Sequence, residues 1–458
     1  MSASLPPPPP HGVSTRRAFW FAAIVTGVVF LAGIYAPYFI VDSWSYLELS
    51  NSVFTDFYHL NTLRHFENPS PYSQAFPPLW PVLLSALRRV VDLGVYTGYL
   101  LNCFVCVGLL AALIRLFQRI DIPGWVGAAC YLSLLGYPAF LGEALGAKTF
   151  PLLLTFLTVA LLFLVRDPIR PPRAAAAGLL MGLACLTRFD ALATACVIGV
   201  AFAICAYRFH RRIRRGLLVG VLYFATLAAS LSLLAAYGIT HFDKPFPSDN
   251  TRMVLQARGG TVLDYYETPP PLDLFQHPLA WTAGLILYKV PKVLIAGFYQ
   301  SALECTLPAF LAVVLVVWGA TRAPSLAAPA FRFTVLALLL IPVMLLPATL
   351  AGLLDNRYYS GPVFLLFAVL FVELVSLTPQ AWSPRRAALL LLVVALPLGP
   401  VVVRPLVLNH GRLSSLADSM APLAPTPEMR RLTDAVHRDS GGQPHRLLLM
   451  AGHIASAK

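Results

Sequence analysis

The first long apolar segment of the chain ends in the stretch Val41-Asp42-Ser43-Trp44-Ser45-Tyr46. This stretch brings a carboxylate, two serine hydroxyls and two aromatic rings together directly outside a hydrophobic span. A charge at the centre of a bilayer costs about 2.5–3.5 kcal/mol, so these groups belong at a membrane face or in a wet cavity. Two interpretations follow: an ordinary loop start with interfacial aromatic rings, or a catalytic carboxylate at the membrane surface.

The composition indicates a polytopic membrane protein. Of the 458 residues, 58% are hydrophobic and only 12% are charged, and the mean hydropathy is +0.70. This apolar share exceeds that of soluble domains. The net charge of +13 would suggest nucleic acid as a partner of a soluble protein. Here the arginines cluster between apolar segments, which the positive-inside rule explains, so the expected partner is the lipid bilayer and not nucleic acid.

The order of apolar segments and arginines predicts an all-α protein of about eleven transmembrane helices, with interfacial helices and loops on its outer face. Residues 1–17 contain a proline run and should form a disordered cytoplasmic N-terminus. Residues 18–404 should form the membrane domain, beginning with a retained anchor over 18–41. Two outer loops are expected, over 42–92 with interfacial helices and over 240–300, and residues 405–458 should form an outer tail.

Two apolar blocks carry arginines at both ends, and each should therefore cross the membrane twice. The first block covers 123–165, and its outer turn over 142–148 contains Glu143 and Lys148. The second covers 174–207, and its outer turn contains Arg188 and Asp190. Each of these charged pairs is either a local ion pair or part of a site.

A third outer turn contains Arg357 and Tyr358. The planar fork of donors on an arginine suits a phosphate, and an aromatic ring suits a sugar face or the membrane interface. The alternative is an interfacial arginine whose charged end reaches water.

Cysteines and histidines predict no disulfide framework and no metal site. Six of the seven cysteines lie inside apolar segments and Cys305 lies at the edge of one. The group formed by Asp56, His59 and His65 matches no strong metal-binding spacing. We assign no metal ligand and no cofactor, and leave the need for a divalent cation open.

Four motifs, in this order, resemble the GT-C class of integral-membrane glycosyltransferases, which includes protein O-mannosyltransferases and lipid A aminoarabinose transferases. They are Asp42-Ser43-Trp44-Ser45-Tyr46-Leu47, Phe76-Pro77-Pro78-Leu79-Trp80-Pro81, Leu186-Thr187-Arg188, and Arg357-Tyr358 followed by a proline. Together with the apolar segments they cover about residues 18–375.

The resemblance implies a glycosyltransferase that uses a polyprenyl-phosphate sugar as donor at the non-cytoplasmic face of the membrane. The excess of Arg over Lys and the many Ala residues indicate a GC-rich genome, so the expected membrane is a bacterial inner membrane. The acceptor would be a hydroxyl of a glycan, a lipid or a protein. Asp42 matches the family's catalytic base, and Arg357 matches the arginine near the lipid phosphate. Lys148 and Arg188 are further candidates for binding the donor phosphate. The expected substrate-binding residues are Trp44, Tyr46, Glu143, Asp190 and Tyr358.

The sequence departs from several family branches directly after Asp42, where a second acid is replaced by Ser43 and Trp44. This departure argues against a metal bridged by two neighbouring acids. A polytopic transporter or lipid flippase is the alternative function, and it would require ionisable groups near mid-membrane and a repeat between halves. A non-catalytic scaffold is the third interpretation.

Overall fold

The structure is a computed structural model that describes residues 14–35, 41–53, 77–94, 96–165, 169–243, 273–293, 329–351, 356–378 and 382–408. These residues form helices and turns, with no strand among them. The all-α prediction is therefore confirmed for the described part of the chain.

The helices follow one another as expected for a chain that crosses a membrane repeatedly. The N-terminal ones are α1 (Thr15–Tyr35), α2 (Val41–Ser52), α3 (Leu79–Arg88), α4 (Tyr96–Arg119), α5 (Gly124–Leu135), α6 (Pro138–Leu145), α7 (Phe150–Leu164), α8 (Pro171–Cys185), α9 (Ala191–His210) and α10 (Ile213–Phe242). The C-terminal ones are α11 (Asp273–Gln276), α12 (Pro278–Gly284), α13 (Pro329–Ala351), α14 (Ser360–Leu377), α15 (Pro384–Ala395) and α16 (Gly399–Leu408). A π-helical turn (Leu285–Lys289) follows α12, and a 3₁₀ turn (Asn356–Tyr359) precedes α14.

Several of these helices are long and apolar enough to span a bilayer, which confirms the multi-pass prediction. Within the described ranges they are Thr15–Ile34, Tyr96–Arg119, Ala191–His210, Ile213–His241, Pro329–Leu350, Ser360–Leu377 and Pro384–Val403, and α5 with α6 forms an eighth if the bent pair is one span. The predicted total of about eleven is not confirmed. Both α7 and α8 have 15 residues, short for a full crossing. Residues 294–328 of the expected membrane domain lie outside the described residues.

The spans differ in how much of each is buried inside the protein. In α14, 72% of the span is buried inside the protein, compared with 17% for the span that begins at Pro384. Phe117 of α4 contacts Phe333 of α13, with the ring centroids 6.4 Å apart. The span α14 is therefore internal, and the last span exposes most of its surface to its surroundings.

The residues after the first span, which we expected to form an outer loop with interfacial helices, begin with a helix. The first span ends at Tyr35, and α2 begins at Val41, so Asp42 lies in the first turn of a helix. Leu47 and Leu49 of α2 are both buried in the protein. This burial explains why a segment with low overall hydrophobicity still forms a helix, because packing supplies most helix stability in proteins.

The block over 123–165 turns back in two steps, not in one. After α5 ends at Leu135, α6 begins at Pro138 and is bent by 83° from α5. Proline at the first helical position fits because it has no N–H that would be left unsatisfied. Glu143 therefore lies inside α6, and the turn that we predicted over 142–148 is confined to the residues between α6 and α7.

The block over 174–207 forms the predicted hairpin, with α8 and α9 joined through residues 186–190. The next helix, α10, packs closely against both because small residues face it. A side chain at Gly178 would place its Cβ 2.2 Å from the carbonyl oxygen of Tyr223. The Tyr223 hydroxyl donates to the carbonyl oxygen of Ala195 at 2.8 Å, which ties α10 to α9.

Candidate functional site

The start of α2 is attached to the turn between α6 and α7. The Ser43 hydroxyl donates to the carbonyl oxygen of Gly146, so the helix turn that contains Asp42 lies against this turn. The side chains of Asp42 and Trp44 lie outside the described residues. Tyr46 is only 7% exposed and packs with Trp80, Leu84 and Leu152.

The short helix α3 connects this turn with the α8–α9 hairpin. The Trp80 indole N–H donates to the carbonyl oxygen of Ala147 at 2.9 Å, and the Leu79 amide donates to the carbonyl oxygen of Leu186 at 2.9 Å. At the other end of α3, Arg88 donates to the Ser50 hydroxyl of α2 at 3.2 Å. A helix expected within 42–92 is therefore present as α3 over the proline-rich motif, and it holds two turns of the candidate site together.

The turn over 146–149 is held by hydrogen bonds from Asn102 of α4. The Asn102 side-chain amide donates to the carbonyl oxygens of Ala144 at 2.9 Å and Lys148 at 3.1 Å, and contacts that of Glu143 at 3.4 Å. Ala147 adopts a left-handed backbone conformation with φ of 53°, which is unusual for a residue with a side chain. One buried amide thus stabilises a tight turn that the local sequence alone would not favour.

Glu143 and Lys148 form a buried ion pair. The Lys148 ammonium donates to Glu143 Oε1 at 2.8 Å, and the side chains are 8% and 2% exposed for Lys148 and Glu143. Within the described chain, Glu143 Oε2 and Asn102 Oδ1 are buried without a hydrogen-bond donor. Buried acceptors normally have a partner, so two unsatisfied acceptor oxygens beside one turn can receive hydrogen bonds from a ligand or a water molecule.

Arg188 lies between an acid and two aromatic rings. Its Nη2 donates to Asp190 Oδ2 at 2.7 Å and its Nε donates to Asp190 Oδ1 at 3.0 Å. Its guanidinium carbon lies 5.0 Å from the ring centroid of Phe150 and 5.4 Å from that of Tyr358. In the described part of the chain its Nη1 donates to no acceptor, so this nitrogen is available for a further acceptor.

The electrostatic surroundings of Arg188 join the two charged turns. Burial acts to lower the pKa of the guanidinium, but Asp190, Tyr358 and Glu143 together raise the pKa well above its ordinary value. Glu143 therefore interacts electrostatically with Arg188 across the site as well as with Lys148 in its own turn. The guanidinium stays charged, and both local ion pairs that the sequence left open are present.

A cleft opens beside Arg188. It is small and partly open, and its walls are Phe150, Leu153, Leu157, Asp190, Ala191, Thr194, Met344 and Tyr358. The walls are mostly apolar, with one carboxylate and two hydroxyls among them. Mostly apolar walls with a few polar groups are the usual composition of a ligand-binding surface.

The late Arg-Tyr turn reaches the site through Tyr358. Residues 356–359 form a 3₁₀ turn, and the Tyr358 ring lies over Arg188. The Arg357 side chain lies outside the described residues. Contacts or electrostatic interactions therefore join Lys148, Glu143, Arg188, Asp190 and Tyr358. The backbone next to Asp42 lies against the turn over 146–149, which contains Lys148.

The sequence analysis did not identify Asn102 or Lys289. Asn102 is an amide inside an apolar span, and a polar residue in that position is itself a signal of function or of a buried network. Lys289 is a basic residue in a mostly apolar segment. It is fully buried, and its ammonium donates to the carbonyl oxygen of Leu350.

No group of three potential metal ligands occurs among the described residues. Asp56, His59 and His65 lie outside them, so the metal question stays as the sequence left it.

Comparisons with known proteins agree with the architecture. Neither a family model nor a curated protein sequence matches the chain. Among solved structures, the chain is similar to ArnT from Cupriavidus metallidurans bound to undecaprenyl phosphate, with a TM-score of 0.50 and 17% identity over 89% of this chain and 75% of ArnT. It is also similar to the archaeal oligosaccharyltransferase AglB from Archaeoglobus fulgidus in complex with an inhibitory peptide and a dolichol-phosphate, with a TM-score of 0.48 and 15% identity over 94% of this chain and 58% of AglB. The helical architecture and its similarity to ArnT confirm the resemblance that the motifs predicted: the chain is a multi-pass membrane protein with the GT-C fold.

Proposed function

We propose that the chain is a glycosyltransferase that moves a sugar from a polyprenyl-phosphate donor to an acceptor hydroxyl at the outer face of the membrane. One observation carries this proposal. The four motifs, which lie far apart in sequence, are joined by contacts: Tyr46 packs with Trp80, Leu79 donates to Leu186, and Arg188 lies against the Tyr358 ring. A shared site explains why these particular turns converge.

The donor would bind with its phosphate near the cationic side chains. Arg188 has an unused donor in the described part of the chain and lies beside the cleft, and Lys148 lies in the turn that Ser43 contacts. Arg357 is adjacent to Tyr358 in sequence, so it is the third candidate for the phosphate. Arginine suits this role because its planar fork matches phosphate oxygens.

The reaction would be a single displacement that inverts the anomeric carbon. The acceptor oxygen forms a bond to this carbon while the bond from the carbon to the phosphate oxygen breaks, and its electron pair stays on the phosphate. Asp42 takes the acceptor proton as general base. Fixed positive charges stabilise the leaving phosphate, which therefore needs little protonation.

The acidic and aromatic residues would hold the two substrates. The unsatisfied Oε2 of Glu143 is suited to accept a hydrogen bond from a sugar hydroxyl. Asp190 and Tyr358 line the cleft. Trp44 and Tyr46 are the proposed contacts of the sugar or of the acceptor at the start of α2. The acceptor is a glycan, a lipid or a protein, and the membrane is the bacterial inner membrane.

The test is the transfer of radiolabelled sugar in membranes that contain the protein and a series of polyprenyl-phosphate sugars, with pentose and hexose donors supplied one at a time. Wild type is compared with Asp42→Asn at matched expression. We expect Asp42→Asn to lower the transfer rate by about 10²–10⁴-fold, the usual contribution of general base catalysis. The matched control is Asp121→Asn, an exposed position with φ of 63°, because asparagine also tolerates this conformation.

Equal transfer by wild type and Asp42→Asn would remove Asp42 from catalysis. If wild type transfers no sugar from any donor, the glycosyltransferase proposal fails, and flux of labelled lipid across liposomes would test the transporter or flippase alternative.

A further inference from the structure

The segment that contains α12 and the π-helical turn contains one fully buried cationic side chain. Lys289 is 0% exposed, although the neighbouring residues Ile286, Leu287 and Tyr288 are exposed. Burying an ammonium group is unfavourable unless polar groups of the protein compensate for the lost water. A π-helical turn at this position is also rare and is frequently found at functional sites.

One compensating group is the end of α13. The Lys289 ammonium donates to the carbonyl oxygen of Leu350, which lies in the last turn of α13. The last four carbonyl groups of a helix have no partner within the helix, and this end carries partial negative charge. The ammonium also lies 5.8 Å from the ring centroid of Trp281, within the range of a cation–π interaction.

A second contact connects the same segment to Tyr359, which directly follows Arg357 and Tyr358. The Tyr359 hydroxyl donates to the carbonyl oxygen of Val293 at 2.8 Å. Residues 289–293 therefore hold the chain immediately before residue 351 and again at residue 359. The seven residues between Ala351 and Tyr359 include Arg357 and Tyr358.

The next contact reaches the candidate site. The Tyr358 ring lies 5.4 Å from the guanidinium carbon of Arg188. A shift of the turn over 356–359 would change the position of this ring and of the neighbouring arginine at the same time. Errors of about 1 Å in the placement of reacting groups cost about 10²-fold in rate.

We propose that Lys289 is a positioning residue: by anchoring the end of α13 together with the Tyr359–Val293 contact, it sets the position of Arg357 and Tyr358 in the donor site. This inference rests on the proposed function for its catalytic consequence. It does not require Lys289 to touch the donor.

The test combines one readout that is independent of activity with one that depends on it. Hydrogen exchange of the peptides that cover 345–362 is followed in the purified, detergent-solubilised full chain for wild type, Lys289→Met and Lys289→Arg. We expect exchange in these peptides to become about 10- to 100-fold faster in Lys289→Met, as the loss of a charged hydrogen bond predicts. Lys289→Arg keeps the charge and should recover most of the protection.

Lys292→Met is the matched control. Lys292 lies three residues further along the same segment, is partly exposed, and lies 5.5 Å from the Tyr288 ring centroid. Among the described residues it makes no hydrogen bond or ion pair with α13. We expect its exchange pattern over 345–362 to equal that of wild type.

The transfer assay adds the kinetic signature of a positioning role. In Lys289→Met, kcat/KM for the polyprenyl-phosphate sugar should fall by about tenfold or more while the KM of the acceptor changes by less than about twofold. Tyr359→Phe removes only one hydroxyl and should shift both readouts in the same direction, which provides a test if Lys289→Met does not fold.

Unchanged exchange over 345–362 in both Lys289→Met and Tyr359→Phe would overturn the proposal whatever the transfer rates. Faster exchange with unchanged transfer kinetics would also overturn it, because the turn would then move without consequence for the site. If wild type transfers no sugar at all, the proposed function fails, and the exchange experiment still decides whether Lys289 anchors the turn.

Discussion

The buried pair of Glu143 and Lys148 allows a sharp test of how the candidate site is held together. We consider three variants: Glu143→Gln, Lys148→Met, and the two combined. Each single change leaves one charge buried without its counterion, whereas the double change leaves no charge. Lys148→Met keeps most of the side-chain length, and Glu143→Gln keeps the shape.

The expected magnitude follows from the geometry. At 2.8 Å, two unit charges attract each other by about 6 kcal/mol with an effective dielectric constant of about 20. Most of this attraction offsets the cost of removing both charges from water. Breaking such a buried pair from one side costs about 3–5 kcal/mol, and removing both charges is often nearly neutral. Each single variant should therefore be less stable than the double variant.

The assay is thermal unfolding of the purified protein in one detergent, followed by the fraction that stays monodisperse after heating. An unfolding entropy of about 2.1 cal/mol/K per residue gives about 1 kcal/mol per degree for this chain of 458 residues. The single variants should lower the apparent Tm by about 3–5 °C, and the double variant by clearly less. The same samples are assayed for sugar transfer, where the double variant should stay inactive because Lys148 is a proposed phosphate ligand.

An exposed ion pair provides the control. Arg88 Nε lies 3.2 Å from Asp92 Oδ1, and the Asp92 side chain is 54% exposed. The hydrogen bond from Arg88 lowers the pKa of Asp92 although partial burial opposes this shift. Because solvent screens such a pair, Asp92→Asn should cost less than about 1 kcal/mol. Additive losses in the Glu143 and Lys148 variants, with no recovery in the double variant, would refute the reasoning that the pair compensates two buried charges.

Two further changes test the surroundings of the site. Arg188→Lys keeps the charge but loses the two-nitrogen contact with Asp190 and the planar group beside two aromatic rings. The rate of sugar transfer should therefore fall by about tenfold or more while expression and folding persist. A wild-type transfer rate would contradict a role for the guanidinium geometry. Gly98→Ala would place a Cβ 2.5 Å from the Ala147 Cβ, so it should lower the free energy of unfolding by about 1–3 kcal/mol. The measurement is the apparent Tm, and the control is Gly108→Ala, where the added Cβ meets no atom within 4 Å.

The positions of the helices could largely be predicted from the sequence. Apolar segments with arginines at both ends correctly predicted the α8–α9 hairpin and its turn at Arg188 and Asp190. A helix was also correctly expected within 42–92, where α3 lies. These features depend on local hydrophobicity and on charge at segment ends, which are properties of the chain itself.

The shape of the segments around the site was predicted less well. The sequence indicated an outer loop with interfacial helices over 42–92, but it did not place a helix at Asp42, where packing of Leu47 and Leu49 makes the segment helical. It also indicated one simple hairpin over 123–165, but Gly136 and Pro138 lie at a sharp bend between α5 and α6. Local composition does not contain this information, because burial against distant helices decides both outcomes.

The candidate site shows the same division. The sequence by itself determined which residues bear the chemistry: an acid after the first span, charged pairs at two hairpin tips, and an arginine beside a tyrosine at a late span end. Only the tertiary structure decided that Glu143 and Lys148 pair while Asn102 holds their turn, that the Tyr358 ring covers Arg188, and that Lys289 lies buried against the end of α13. These contacts join residues that are between 5 and 170 positions apart, and their distances depend on how whole helices pack. Hydrophobic periodicity specifies where each helix runs, whereas the meeting of their ends depends on the close packing of all of them together.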